Sequence, residues 1–255
     1  MKPLKYIKSW LPFLLAVWPA LYGCQSAGTK ELRVMSYNVR NGRGMDDSVD
    51  YSRAAKVIND FAADLVAVQE LDSASGRSGG AVVLDTLAAL TGMHASYARA
   101  IDFDGGGYGI GILSKGRPLR TQKIPLPGRE EERVLLVAEF EDYIVLATHL
   151  SLTEEDRMMS ARLIVSACRE FAKPAILAGD LNDEPSSEMI RFLSEELTLV
   201  SDTTQATYPA DRPRGCIDYI FIRNTTNNKF ISSASGVTDA PVESDHRPVY
   251  SVLEY

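Results

Sequence analysis

The stretch AILAGDLNDEPSS (175–187) opens with an apolar run, Ala175 to Ala178, and turns polar at Asp180, Asn182 and Asp183. A short apolar run bounded by turn residues reads as a buried strand. Strands deliver side chains to their ends, and residues two apart project to the same side of an extended backbone. Asp180 and Asn182 are therefore expected to face one small target together, the carboxylate accepting a proton and the carboxamide donating hydrogen bonds to an oxyanion. Asp, Asn and Pro are also ordinary turn formers, so the stretch alone reads equally well as a plain turn. The arrangement recurs along the chain, and the recurrence favours a site.

Upstream, residues 32–39 alternate in polarity up to Asn38 and run into the Gly-rich turn 40–44. Residues 64–71 contain Leu65-Val66-Ala67-Val68 and end in Gln69-Glu70, a second buried strand with its tip at Glu70. Another strand, 143–149, finishes at His149, and a strong strand at 216–223 carries Asp218 among isoleucines and aromatics. Asp245 and His246 lead into a last strand, 248–253. Helices are expected over 51–62, capped by Asp50 with a stripe of Ala54, Val57, Ile58 and Phe61, and over 81–90 and 187–193. A further helix, 154–171, is opened by Thr153 and carries Met159, Leu163, Ala167 and Phe171 at helical spacing. The remaining strands are 96–100, 108–114, 118–124, 133–140 and 230–236, with 101–109 a glycine-rich excursion. Alternating helices and strands with antiparallel pairings in each half predict an α/β protein of two packed sheets flanked by helices, its loops gathered at one end.

At 255 residues, 45% apolar and 24% charged, the chain suits one large globular domain. Its start differs: Lys2, Lys5 and Lys8 precede an apolar run from Trp10 to Leu21 that stops at Gly23-Cys24. This layout predicts a signal peptide over 1–23, too short to be a comfortable membrane span. Leu21-Tyr22-Gly23-Cys24 resembles the bacterial lipoprotein box, which implies a lipid on Cys24 and a tether over 24–31. The chain is then expected to be exported and lipid-anchored in the cell envelope, and to act as a monomer. Loss of three lysines and no acids takes the net charge from −7 to −10. The Arg129 to Arg133 segment is interrupted by three glutamates, so there is no basic stripe of the kind nucleic-acid binders carry. Cys168 and Cys216 have no zinc-like spacing, and whether they pair is left open.

Eight polar residues thus sit in or at the ends of apolar strands: Asn38, Glu70, His149, Asp180, Asn182, Asp218, Asp245 and His246. A buried acid such as Asp218 needs a partner, and His246, one of three histidines in the chain, is beside Asp245 with Asp218 available to orient it. A set of hard oxygen donors suits Mg²⁺ or Mn²⁺ better than zinc.

The motifs SYNVRNG (36–42), AVQELD (67–72), ATHL (147–150), GDLND (179–183), IDYIF (217–221) and SDHRPV (244–249) resemble, in order, those of the endonuclease/exonuclease/phosphatase superfamily, the deoxyribonuclease I-like fold. The resemblance implies a four-layer α/β sandwich and Mg²⁺- or Mn²⁺-dependent hydrolysis of phosphoester bonds. It places Asn38, Glu70 and Asp245 at the metal, with Glu70 the principal ligand. It brings His149 and His246 to the scissile phosphate, gives Asp180 and Asn182 the attacking water, and makes Asp218 the group that orients His246. The stretches 44–50 and 207–213 look similar to small exported bacterial members grouped with lipid or phosphoinositide phosphodiesterases, and the acidic surface disfavours polymeric DNA, so the expected substrate is a small or lipid-linked phosphoester outside the cytoplasm. An extracytoplasmic nuclease is the alternative, and an envelope binding protein without turnover a more remote one.

Overall fold

The runs ending in Asn38 and reaching Glu70 form neighbouring parallel strands, and so do the runs ending in His149 and Asp180. Each pair is joined by a helix, so the chain contains two βαβ units. The computed structural model describes residues 29–226 and 228–255, with Met1 and Pro3. The signal peptide, the Cys24 anchor and most of the tether lie outside the described residues.

The first half runs β1 (Glu31–Asn38), α1 (Tyr51–Phe61), β2 (Leu65–Ser73), α2 (Val83–Thr91), β3 (His94–Phe103) and β4 (Gly106–Ser114). The second runs β5 (Arg120–Leu126), β6 (Arg133–Glu139), β7 (Ile144–His149), α3 (Glu154–Arg169), β8 (Ala175–Asp180), α4 (Glu188–Glu196), β9 (Thr198–Leu199) and β10 (Asp218–Arg223). The chain then returns to the first sheet with β11 (Ile231–Val237) and β12 (Val249–Glu254). The sheets have six strands each, in the orders β11-β12-β1-β2-β4-β3 and β5-β6-β7-β8-β10-β9.

The sheets pack face to face over a core that includes Val34, Ala67, Ile112, Val145, Ile176 and Ile220. A second cluster joins the outer face of the first sheet to α1 and α2 through Met35, Val66, Ile58 and Leu87. A third joins the second sheet to α3 and α4 through Leu146, Leu177, Ile164 and Leu193. The result is the four-layer α/β sandwich of the deoxyribonuclease I-like fold. Strands β7 and β8 are buried along their whole length, which is why they read as unbroken apolar runs. Both parallel pairs point their carboxyl ends at one edge of the sandwich, the place where open α/β sheets bind ligands.

Three expectations change, and one open question is answered. Strand β2 does not stop at Glu70 but runs to Ser73, with Glu70 in a bulge between Val68 and Leu71 at φ +60°. The segment 101–109 is mostly strand, because β3 and β4 form one long hairpin turning at Asp104-Gly105. Gly106 lets that hairpin close onto Ser73 and Ala74, where a Cβ would run into their backbone. Helix α3 ends at Arg169 and buries Ser160, Ala161, Ile164, Val165, Ala167 and Cys168, leaving Met159 and Leu163 exposed. Its phase is fixed by the buried carboxylate of Asp156, which accepts from Arg129 N at 2.9 Å and Ser151 Oγ at 3.4 Å. Finally, Cys168 and Cys216 are both free thiols.

Candidate active site

Strand register builds the centre of the site. Asp180, the last residue of β8, pairs with His149 at the end of β7 on one side and with Asp218 at the start of β10 on the other. Asn38, at the end of β1 in the facing sheet, closes the gap. Its Nδ2 donates to Asp180 Oδ2 at 3.1 Å and to Glu70 Oε1 at 3.0 Å. Its Oδ1 accepts from Arg40 N at 3.1 Å, which fixes the sense of the amide. Asn38 therefore acts in this structure as a clamp between two carboxylates from different sheets.

Glu70 reaches the clamp because the bulge turns its side chain inward. Burial pushes its carboxyl above the usual range, the Asn38 hydrogen bond offsets part of this, and Asp245 and Asp180 push it further up. Asp245 is anchored nearby, with Arg40 Nε 3.5 Å from its Oδ2 and Ser244 Oγ 3.4 Å from its Oδ1. Ser244 in turn donates to the Asn38 carbonyl at 2.7 Å, tying the segment before β12 to the end of β1.

His246 places Nδ1 2.9 Å from Asp218 Oδ2 and Nε2 3.6 Å from Asp180 Oδ2. Burial alone would lower its pKa, but Asp218, Asp180 and Asp245 raise it to about 10, so the ring is an imidazolium. His149 directs Nε2 at the same Asp180 oxygen, at 3.4 Å. Here burial dominates, Asp180 opposes it only partly, and the pKa falls to about 4, leaving a neutral ring. One carboxylate oxygen thus faces a charged and a neutral histidine.

A sequence profile of the Endonuclease/Exonuclease/phosphatase family matches residues 35–246, which span every one of these groups. The chain belongs to that family. Members of the endonuclease/exonuclease/phosphatase family hydrolyse phosphoester bonds. The fold recurs in an endonuclease/exonuclease/phosphatase from Bacteroides vulgatus, with 19% identity, a TM-score of 0.72 and coverage of 88% of this chain and 98% of that one. It recurs in a mannosyl-6-phosphatase from Bacteroides thetaiotaomicron (19% identity, TM-score 0.69, 88% and 100% covered). It is also seen in D. rerio TDP2 complexed with a single-strand DNA product (18% identity, TM-score 0.67, 88% and 98% covered). A comparison with curated protein sequences gives no match.

The family typically depends on a divalent metal, and the donor set here is suited to a hard cation. Glu70 is destabilised as an anion first by burial and then by the charges of Asp245 and Asp180, which a cation would relieve. Asp180, Asp218 and His246 also offer atoms within 4.8 Å of one another. In that trio both nitrogens of His246 already face carboxylates, Nδ1 toward Asp218 and Nε2 toward Asp180.

Asn182 departs from the expected geometry. Its backbone is left-handed, at φ +52°, so it does not project alongside Asp180 from an extended strand. Instead its N–H donates to Asp180 Oδ1 at 3.0 Å and its Nδ2 to the Leu150 carbonyl at 2.9 Å. Asn182 thereby orients Asp180 and keeps its own Oδ1 available. Three groups were not singled out from sequence for the roles they take. Thr207, fully buried, donates to Asp218 Oδ2 at 2.6 Å. Arg157 pairs with Asp183 at 3.1 Å and braces the turn after β8. Tyr208 lays its ring 4.9 Å from that of His246. The Thr-Tyr-Pro run before Arg214 is the one local signal for Thr207 and Tyr208, and the link of Thr207 to Asp218 depends on tertiary contact, while nothing local marks Arg157.

Proposed function

We propose that this member of the family is a divalent-cation-dependent phosphodiesterase or phosphomonoesterase that acts on a small or lipid-linked phosphoester outside the cytoplasm, held to the envelope through Cys24. The observation that carries the reading is the convergence of Asn38, His149 and His246 on Asp180 Oδ2. Such a carboxylate is placed to take a proton from water beside two nitrogen donors directed at the same small space.

Glu70 and Asp245 would hold Mg²⁺ or Mn²⁺, which when bound supplies positive charge to a non-bridging phosphoryl oxygen and to its developing charge. Asn38 keeps Glu70 and Asp180 apart and aimed. As the bond from the water oxygen to phosphorus forms, Asp180 receives the water proton, with the Asn182 N–H holding its other oxygen still. His246, kept cationic by Asp218, donates N–H to a phosphoryl oxygen as the bond to the leaving oxygen breaks. His149, neutral, adds a second donor. The net charge expected after export, −10, supports a small or headgroup substrate over polymeric DNA.

The test is hydrolysis of bis(p-nitrophenyl) phosphate and of p-nitrophenyl phosphate with Mg²⁺ or Mn²⁺. Turnover should disappear with EDTA and in Asp180→Ala and His246→Ala. A panel of sphingomyelin, inositol phosphates, RNA and plasmid DNA then ranks substrates, and plasmid nicking as the preferred reaction would replace this reading with a nuclease.

A further inference from the structure

Beside this site the chain builds a feature that cleavage of one phosphoester does not require. Past the Glu70 bulge, β2 resumes pairing with β4, placing Asp72 opposite Tyr108. The Asp72 carboxylate is buried, and Arg77 folds back over it from the following loop. The pairing is side-on, Nε to Oδ2 at 2.9 Å and Nη2 to Oδ1 at 2.7 Å. The guanidinium carbon lies 4.4 Å from the centre of the Phe103 ring and 5.6 Å from that of Tyr108. Arg77 is thus fixed by a bidentate acid and two aromatic rings.

The loop is constructed to hold it there. Ser75 is fully buried, and its Oγ and carbonyl receive Ser78 N at 3.1 Å and Ser78 Oγ at 3.0 Å. Gly76 N donates to the Asp104 carbonyl at 2.8 Å, and a Cβ on Gly76 would sit 2.7 Å from the Asp104 carboxylate.

A buried carboxylate needs one counter-charge, and one edge of Arg77 supplies it. The other three of the five guanidinium N–H donors have no hydrogen-bond partner among the described residues. The side chain stays 33% exposed, with Glu70 and the Tyr108 hydroxyl among its electrostatic neighbours. That hydroxyl also has no partner among the described residues. On the far side of Tyr108, Arg133 is buried. Its Nη groups are taken by Glu130 at 3.4 Å and Glu131 at 3.3 Å, and its Nε is left without a partner. Tyr108, Arg133 and His149 line one narrow cleft between the sheets. Unspent donors of Arg77 and Tyr108 therefore lie close to Glu70.

We propose that Arg77, with the Tyr108 hydroxyl beside it, binds a second phosphate group carried by the substrate beside the one that is cleaved. This rests on the hydrolytic reading above and narrows its substrate class to phosphoesters bearing a further phosphate. A preorganised guanidinium loses little freedom on binding such a group, and its planar N–H edge matches phosphate oxygens.

The experiment compares a hexose 1,6-bisphosphate with the hexose 6-monophosphate on the purified protein with Mg²⁺. Each is measured as a competitor of p-nitrophenyl phosphate hydrolysis and, independently, by calorimetry. Short-chain phosphatidylinositol 4,5-bisphosphate against phosphatidylinositol 4-phosphate forms the lipid arm. Wild type should favour the doubly phosphorylated ligand of at least one pair by roughly tenfold to a hundredfold, the range of one charge-assisted contact. Arg77→Gln should erase that ratio, and Arg77→Lys, which keeps a counter-charge on Asp72 if the Gln variant does not fold, should reduce it. The more discriminating pair tells a soluble source from a lipid one. A wild type without preference in either pair, or an Arg77→Gln protein with the ratio intact, overturns the proposal. Absence of all hydrolysis with the calorimetric ratio present and lost in Arg77→Gln would sink the hydrolytic reading and leave the second-phosphate site standing.

Discussion

His149 and His246 present Nε2 to the same oxygen of Asp180, at 3.4 and 3.6 Å, yet their pKa values move apart, to about 4 and about 10. The difference lies behind the rings. Asp218 backs His246, whereas His149 is buried near Arg133, whose charge opposes protonation. Burial behind one ring and a carboxylate behind the other thus give the two histidines different charge states at neutral pH.

At pH 7, nitrogen-detected NMR of the metal-free protein should therefore show His246 protonated on both nitrogens and His149 on one. Asp218→Asn removes the charge behind His246 and should bring its pKa down toward the ordinary histidine value of about 6.5. A new basic limb near neutrality should then appear in the pH profile of kcat/KM. An unaltered profile in Asp218→Asn would remove Asp218 from its orienting role.

The two rings also predict opposite effects on stability. His246 has a folded pKa of about 10, above the unfolded value of about 6.5. Its contribution is full below the unfolded value and is lost as pH rises through the folded one. His149 has a folded pKa of about 4, so the unfolded chain binds the extra proton below about 6.5. Stability from that source falls as pH drops from there toward 4. Metal-free Tm measured from pH 4 to pH 10 should show both losses, with His149→Gln flattening the acid side and His246→Gln the alkaline side.

Thr207 and Asp218 form a fully buried hydrogen bond at 2.6 Å. Thr207→Val leaves Asp218 short of a donor while keeping side-chain volume, and should cost about 1–3 kcal/mol in urea unfolding. It should also lower kcat more than it raises KM, because in the proposed function the ring that Asp218 positions acts in the transition state.

Gly179 precedes Asp180 where β8 packs against β7, and a Cβ there would run into the Thr148 carbonyl. Gly179→Ala should destabilise by about 1–3 kcal/mol and lower activity by shifting the adjacent carboxylate. Equal stability of wild type and Gly179→Ala in chemical denaturation would contradict the close approach.

The Cys168 and Cys216 thiols are free, and burial raises both to about 12. Neither should react with Ellman's reagent in the native protein, and both should react once it is unfolded. Reductant should leave Tm unchanged.

Much of this architecture was legible in the sequence, because strands buried on both faces leave an unmistakable apolar run with a polar terminus. Residues 144–149 and 175–180 illustrate it, and so do the tips His149 and Asp180. Features that depend on a single backbone angle were not legible. Glu70 and Asn182 take left-handed φ without being glycine, so the bulge and the turn that aim them left no compositional mark. Helix α3 was misphased because its buried face is built of Ser160, Ala161 and Cys168 while the bulkier Met159 and Leu163 face out. The β3–β4 hairpin was hidden because Gly106, Gly107 and Gly109 suggest a loop, although they serve close strand packing. The Arg77–Asp72 pair joins a strand to a loop five residues on, and no periodicity marks it.

The proposed function makes Asp180 the proton acceptor of a cation-assisted phosphoester hydrolysis. Its most direct test is kcat/KM for bis(p-nitrophenyl) phosphate in wild type and Asp180→Asn, which keeps the shape of the hydrogen-bonding group, at saturating Mn²⁺ and with EDTA. Wild-type turnover should require Mn²⁺ and should fall at least about a hundredfold in Asp180→Asn. Turnover that persists in EDTA, or an Asp180→Asn protein as fast as wild type, would contradict the claim.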